Sequence, residues 1–290
     1  VRTSALSWFY QYRELLEQRY DLIIATSVTD ITLLKSLNSS LSNTPVWLFC
    51  HENQFEYPES AHEKKEHRLQ LQTSFFFNCV CADWISFNSR WNRDTALKGL
   101  ETLLRSWPER LPAEAVDSIR NKSDVLHVPL ANHQQPAENS AENSGQIDIV
   151  WNHRWEYDKG PEALLHFVKA LVSLPDDAIK KNLHLHIVGQ QFRQMPDAFK
   201  KIKQLFEGNM KRNSNLTLGQ WGYIEDHDQY QTLLASSDIV LSTSLHDFQG
   251  LSVLEAVQNG CVPLLPNALV YPEFFSTDFL YDIDQENDAR

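Results

Sequence analysis

A chain of 290 residues can bury one large core or two medium ones, and its 42% hydrophobic and 11% aromatic content excludes a disordered chain. A formal charge of −12 excludes a protein that coats nucleic acid indiscriminately. Residues 1–130 hold 14 Lys+Arg against 16 Asp+Glu and residues 131–290 hold 12 against 22, so a polyanionic partner is expected to meet the first part. No apolar run approaches the roughly 18 residues that span a bilayer, and no basic-then-apolar leader is visible, so no membrane partner is expected.

Along the chain, helical patterns at Ser7–Gln18 and His62–Phe76 alternate with strand-like runs at Leu22–Thr26, Val46–Cys50, Asn78–Ala82 or a little later, and Val125–Pro129. The stretch from Ala131 to Gln146 is polar, repeats Ala-Glu-Asn-Ser, and reads as an exposed connection. Beyond it, strand-like runs lie at Ile147–Trp151, Leu183–Val188, Leu216–Gly219, Ile239–Thr243 and Val262–Pro266. Helical patterns between them cover Pro161–Leu174, Met195–Phe206, Asp226–Ala235 and Leu251–Gln258. Strands alternating with helices predict α/β architecture: two Rossmann-like domains, 1–130 and 147–290, joined by a linker at 131–146, with parallel sheets facing a central cleft. Cys79 and Cys81 would point the same way on a strand, but without CxxC spacing the four cysteines read as buried free thiols of a reducing cytoplasm.

Two segments carry the chemistry. Trp151–Glu162 follows an apolar strand and precedes a helix opening at Pro161, so Arg154 and Lys159 project from a strand-to-helix loop. A planar guanidinium, a mobile ammonium and a helix N-terminus together suit a diphosphate. The same charges also fit a surface loop in which both cations pair with Glu156 and Asp158, and charge alone leaves the two readings open. In Ser242–Gly260, Asp247 lies in a polar loop, Gly250 permits close backbone approach to a ligand, and Glu255 follows one to two turns into a helix. Carboxylates there are natural acceptors for sugar hydroxyls. Asp282-Ile-Asp284 has DxD spacing but sits in an acidic tail and reads as solvated, and His62 and His67 lack HExxH spacing, so no metal is expected.

Arg154-x4-Lys159 followed by Asp247-x7-Glu255 resembles the retaining glycosyltransferases of the two-Rossmann-domain (GT-B) fold, in the family 4 group. Asp247 departs from the Glu usual there and reaches one methylene less far. The resemblance implies that Arg154 and Lys159 hold the donor diphosphate, Asp247 the sugar and Glu255 the ribose. It further implies donor contacts at Gly250 and Leu251, and backbone contact with the donor base at Gly222 and Tyr223 in the turn Leu216–Tyr223. His51-Glu-Asn-Gln54 with Tyr57-Pro58, Phe87-Asn-Ser89 with Asn92, Trp151 with His153-Arg-Trp-Glu156, and Leu269-Val-Tyr-Pro-Glu273 are similar to a narrow subfamily, the tRNA-queuosine α-mannosyltransferases. That likeness implies GDP-mannose as donor substrate, no metal or other cofactor, and queuosine-containing tRNA as acceptor. His51 is then expected near the reaction centre, with Arg154, Lys159 and Asp247, and Glu52, Asn53, Gln54, Asn88 and Ser89 on the acceptor side. Lys64, Lys65, Arg68, Arg90, Arg93 and Lys98 would meet the tRNA, and Phe55, Tyr57 and Trp91 are candidates to stack on a splayed base. Members of that family open with a further strand and a Gly-Gly-Ser-His loop and close with further helices, so a fragment carrying mainly the donor-binding part of the site is expected. A family 4 enzyme acting on another glycan or a lipid, and a non-catalytic nucleotide-sugar or RNA-binding module, are the rival readings.

Overall fold

The computed structural model describes residues 4–57, 65–107, 112, 114–131, 145–175, 181–192, 194–209 and 215–283. Most of the predicted linker, together with Pro58, His62, Lys64 and Asp284, lies outside the described residues, as does the side chain of Lys65. The chain divides into two compact units, Val1–Val128 and Pro129–Arg290.

In the first unit, strands β1 (Ile23–Thr26), β2 (Val46–Cys50), β3 (Trp84–Phe87) and β4 (Ser123–Val125) pair in parallel in that order. Helices α1 (Ser4–Gln11), α2 (Arg13–Leu16), α3 (Ile31–Leu37), α4 (Lys65–Cys81), α5 (Arg90–Ser106) and α6 (Glu114–Asn121) complete it. Two starts are fixed by side-chain caps: Asp30 accepts from the Leu33 N–H to open α3, and Ser89 accepts from the Asn92 N–H to open α5. The core joins Val46, Leu48, Ile85 and Phe87 of the sheet to Phe75 and Cys79 of α4 and Leu97 and Leu100 of α5.

The structure makes two corrections here. The first is one of placement: of Asn78–Ala82 or a little later, the strand takes the later position, at Trp84–Phe87, and Asn78–Cys81 ends α4. Phe75, Asn78, Cys79 and Ala82 are buried while Phe77 and Val80 are exposed, a three-to-four-residue period that turns one side of a helix inward. Cys79 and Cys81 therefore do not share a strand face; all four cysteines are free, with Cys50, Cys79 and Cys261 buried. The other correction is that the last strand occupies Ser123–Val125 rather than running to Pro129, a residue with no N–H to give a ladder.

The second unit holds β5 (Gln146–Asn152), α7 (Pro161–Ser173), β6 (Asn182–Val188), α8 (Asp197–Asn209), β7 (Leu216–Gly222), α9 (His227–Ser236), β8 (Ile239–Leu241), α10 (Leu251–Gln258), β9 (Val262–Pro266), α11 (Tyr271–Phe274) and β10 (Leu280–Tyr281). All six strands are parallel, in the order β10-β9-β8-β5-β6-β7. Counted from β5, this is the doubly wound order 3-2-1-4-5-6, in which the chain switches direction of travel between β5 and β8. Loops leaving the carboxyl ends of those two strands open a crevice, and both chemistry-bearing segments of the sequence are those loops. Among the described residues, no helix is long and apolar enough to cross a membrane.

Candidate active site

The loop after β5 turns Arg154 outward and buries Asp158 and Lys159. Trp155 is fully buried and stacks on Phe199 at 4.2 Å, so its neighbour Arg154 is left half exposed at the rim. A 3-10 turn over Tyr157–Lys159 then leads to Gly160 at φ 65°, and Pro161 opens α7. Only glycine fits at 160: a Cβ there would lie 1.8 Å from the Thr243 carbonyl oxygen. That contact locks this loop to the one after β8. Trp151 Nε1 donates to Thr243 Oγ1 at 2.9 Å, and the Asp158 carbonyl accepts from the Leu245 and His246 N–H groups at 2.9 and 3.1 Å.

The structure thus brings Arg154, Lys159 and Asp247 together. They line one cavity of about 430 Å³ with Asn152, His153, Gly189, Tyr223, Tyr230 and Leu251. Lys159 is nearly buried; its Nζ donates to the His246 carbonyl at 2.7 Å and lies 3.5 Å from both Asp158 Oδ2 and Asp247 Oδ2. Arg154 sits 2.9 Å from Glu156 Oε2 and 3.6 Å from Asp158 Oδ2. Both readings of the cations therefore hold in one geometry, pairing with neighbouring carboxylates while facing a cavity.

Asp247 accepts from the Gly250 N–H at 2.9 Å and from the Tyr271 hydroxyl at 3.2 Å. Burial pushes its carboxyl up, but the Lys159 charge and those two donors outweigh burial and hold it below the ordinary carboxylate range. Gly250 sits at φ 71° as the N-cap of α10, and a Cβ there would come 3.1 Å from the Tyr271 ring. Its glycine is accordingly explained by packing against Tyr271. Glu255 accepts from Tyr230 Oη at 3.3 Å. Gly222 ends β7 and its carbonyl accepts from Gly189 N–H at 3.1 Å, while Tyr223 is 60% exposed at the cavity.

Three cavity residues were given no role by sequence, although His153 stood in the block shared with the subfamily. His153 is buried, with Nδ1 3.3 Å from Ser252 Oγ and Nε2 without a hydrogen-bond partner. Burial first, then Lys159, lowers its pKa to about 3, so it stands neutral among the cations. Asn152 and Tyr230 form the other contacts of the rim. The signal for the first two was a polar pair, Asn152-His153, closing an apolar central strand; Tyr230 carries none.

The first-unit candidates lie at the carboxyl ends of β2 and β3. Asn53 is wholly buried: its Nδ2 reaches Asn92 Oδ1 and Thr95 Oγ1, both at 3.0 Å, and its Oδ1 takes the Phe55 N–H at 2.8 Å. Asn88 donates to the His51 carbonyl at 2.9 Å and accepts from Asn92 at 2.8 Å, and Ser89 caps α5. Glu52 accepts from Gln54 Nε2 at 3.1 Å and from the Tyr57 hydroxyl. His51 is exposed, its ring 4.7 Å from Phe49. Arg68 donates to the Phe55 and Tyr57 carbonyls at 3.1 Å, and Arg93 to Ser123 Oγ at 3.0 Å. Phe55 packs on the core, 5.9 Å from Phe75, while Tyr57 and Trp91 are half-buried.

One cluster of potential metal ligands occurs among the described residues: Asp148, His184 and His186, away from the loops above. Asp148 Oδ1 lies 2.9 Å from His184 Nδ1 and 3.1 Å from His186 Nε2. His186 Nδ1 accepts from the Gln220 N–H at 3.0 Å, so Nε2 carries the ring proton and donates to Asp148. A metal on Nε2 needs that proton on Nδ1, where the Gln220 donor already points; the cluster fits a hydrogen-bond network and not a cation. Asp282 of the DxD pair accepts from Asn267 at 3.0 Å on the surface.

Comparison with known proteins follows the same division. Residues 1–130 match the family described as tRNA-queuosine alpha-mannosyltransferase N-terminal, and residues 133–284 match glycosyl transferases group 1. A Drosophila melanogaster tRNA-queuosine alpha-mannosyltransferase is 30% identical over 97% of this chain and 72% of its own length. Among solved structures, S. aureus TarM superposes with a TM-score of 0.61 at 18% identity, over 95% of this chain and 48% of TarM. Anabaena HepE gives 0.55 at 16% identity, over 94% of this chain and 65% of HepE. These likenesses carry the fold, that of the two-Rossmann-domain glycosyltransferases, and the chain spans about half to two thirds of the solved chains.

Proposed function

This chain belongs to the tRNA-queuosine alpha-mannosyltransferase family of group 1 glycosyltransferases, and from that membership we propose that the protein transfers mannose from GDP-mannose to queuosine in a tRNA anticodon with retention. The observation that carries the donor half of this reading is the convergence of Arg154, Lys159 and Asp247 on one cavity at the switch point of the second sheet.

The diphosphate takes the place of Glu156 beside Arg154 and lies against Lys159. Asp247, kept ionised and held by Gly250 and Tyr271, accepts from a mannose hydroxyl. Glu255 takes the ribose, the backbone at Gly222 and Tyr223 the base, and Gly250 and Leu251 the start of α10 beneath the phosphates. The bond between the anomeric carbon and the diphosphate oxygen breaks as a queuosine hydroxyl bonds to that carbon from the same face. The hydroxyl proton passes to the departing phosphate oxygen. Negative charge grows on the diphosphate in this step, and two cations fixed before it begins lower the barrier more than they tighten substrate binding. They do the work of a divalent ion, so the reaction needs none.

On the acceptor side, His51 and Glu52 are offered to queuosine, while Asn53, Gln54, Asn88 and Ser89 frame the loop that presents them. Arg68, Arg90, Arg93 and Lys98, with Lys64 and Lys65, would take the tRNA backbone. The reading places the reaction in the cytoplasm, in keeping with the buried free thiols.

Mass spectrometry of queuosine-containing tRNA after incubation with the protein and each of several nucleotide-sugars tests the whole assignment. A gain of one hexose with GDP-mannose alone, unchanged by EDTA, is expected. A gain with a different nucleotide-sugar would replace the donor, and no gain with any of them would remove the acceptor.

A further inference from the structure

Behind the proposed ribose site, three side chains from three elements form a directed chain. Asn152 closes β5, Tyr230 stands on α9 and Glu255 on α10. Asn152 Nδ2 has two hydrogens, and both are committed: it donates to the Ser252 carbonyl at 2.7 Å and to Tyr230 Oη at 3.0 Å. The Ser252 carbonyl can only accept, which fixes the amide's orientation. With its oxygen receiving from Asn152, the Tyr230 hydroxyl turns its own hydrogen to Glu255 Oε2, 3.3 Å away.

The helices carrying this chain are braced independently. Asp226 Oδ1 accepts from the Asp228 and Gln229 N–H groups and sets the start of α9. Asn259 Nδ2 bonds Gln231 Oε1 of α9 at 2.9 Å and the Glu255 carbonyl of α10 at 2.8 Å. Glu255 is thus held through its backbone by one bridge between α9 and α10 and through its carboxylate by the other. Among the described residues, the side-chain hydrogen bond to Glu255 goes to Oε2 and not to Oε1. Burial, with the Glu255 charge next, pushes the Tyr230 phenol well up, so it remains a donor wherever the enzyme is folded.

We infer that Tyr230 is a positioning residue: its hydroxyl, aimed by Asn152, holds Oε2 of Glu255 and leaves Oε1 to accept the hydroxyls of the donor ribose. This rests on the reading that Glu255 takes the ribose, and the test separates the two. Calorimetry would compare binding of GDP and of 2′,3′-dideoxy-GDP to the wild-type protein, Tyr230→Phe, Glu255→Gln and the double variant, with circular dichroism recording the fold of each. Tyr230→Phe keeps the ring and removes one charge-assisted hydrogen bond, so GDP affinity is expected to fall about fivefold to tenfold while dideoxy-GDP affinity stays at the wild-type value. Glu255→Gln should lose the preference for GDP, and adding Tyr230→Phe to it should cost nothing more, because one acts through the other. In turnover, Tyr230→Phe should raise the donor KM and leave kcat within about twofold.

An equal loss on both nucleotides, or no loss on either, while Glu255→Gln abolishes the GDP preference, overturns the role of Tyr230 and leaves the ribose reading intact. If Glu255→Gln keeps the preference for GDP over dideoxy-GDP, the ribose reading itself falls and the inference falls with it. If Tyr230→Phe does not fold, the same comparison on Asn152→Ser, which frees the phenol to turn away, should show a smaller loss confined to GDP; an Asn152→Ser protein that loses both nucleotides equally overturns the inference.

Discussion

The loops that follow β2 and β3 and the loops that follow β5 and β8 stand at the same place in their sheets, the carboxyl ends of parallel strands, yet they are held in opposite ways. In the first, Asn53, Asn88, Ser89 and Asn92 bond to one another and to backbone, and the buried polar atoms satisfy themselves. In the second, Lys159, Asp158, Asp247 and Arg154 crowd together as charges, and both Asp158 carboxylate oxygens lack a hydrogen bond although the residue is buried. A closed amide network fixes a backbone shape. An incompletely satisfied charge cluster facing a cavity stores interaction for something that arrives. Motif residues in the two places therefore carry different duties, framing in one and contact in the other.

The largest effects should come from the charge cluster. Arg154→Ala and Lys159→Ala should each lower turnover by about 10²–10³-fold, the scale for removing one preorganised group at developing charge. Their effects on stability should part. Arg154 is half exposed and its removal costs under about 1 kcal/mol. Lys159 is nearly buried between two carboxylates, so its loss should destabilise by roughly 3 kcal/mol. Denaturant unfolding beside single-turnover rates measures both, and near-normal turnover in Arg154→Ala would undo the assignment of the phosphate site. Gly160→Ala follows: a Cβ 1.8 Å from the Thr243 carbonyl at φ 65° should separate the two loops, lowering stability by at least about 2 kcal/mol and weakening GDP binding together.

Asn53→Ala probes the other side of the comparison. It leaves Asn92 and Thr95 partners and the Phe55 N–H unmatched in the core, so the first unit should lose about 2–3 kcal/mol. GDP binding, a property of the second unit, should stay within about twofold of wild type. A large loss of GDP affinity in this variant would mean that the amide network does more than frame its loop.

How much of this was readable beforehand follows from the kind of signal each feature leaves. Val46–Cys50, Leu251–Gln258 and Val262–Pro266 are closed by His51, Asn259 and Asn267 and follow Pro45, Gly250 and Gly260-Cys261, and the structure keeps those bounds. The spacing of Arg154 with Lys159 and of Asp247 with Glu255 is local, so the sequence carries it directly. The start of the strand after Asn78 was left open because Cys79-Val80-Cys81 is apolar in both periods, and only the burial of Phe75, Asn78 and Cys79 together on one helix side gives that stretch to the helix. Strand β10, two residues long, is below what a pattern can show. His153, Asn152 and Tyr230 acquire their roles from partners about 25 to 100 residues away in the chain, at Ser252, Glu255 and Tyr230 itself. Such roles exist only once the sheet order brings β5 beside β8.

The smallest expected effect concerns histidines, and it sharpens the contrast through pH. His153 is lowered to about 3 chiefly by burial and then by Lys159, and His246 to about 4 for the same reasons in the same order. An unfolded histidine titrates near 6.5. From about pH 4 to a little above 7 the unfolded state therefore binds more protons than the folded one, so stability of the second unit rises with pH across that window and levels off by about pH 7.5. From pH 7.5 to 6.0 the two groups together should remove about 1.5 kcal/mol, or ~3–6 °C in Tm for a unit of this size. Asp247, held below the ordinary carboxylate range, loses its contribution only at lower pH and does not share in the change. His153→Gln keeps a neutral polar group in the same pocket and should roughly halve the drop. Calorimetric scans at the two pH values check it: an unchanged slope in His153→Gln would mean that His153 takes up its proton in the folded protein, and that the cluster carries one more positive charge than its geometry implies.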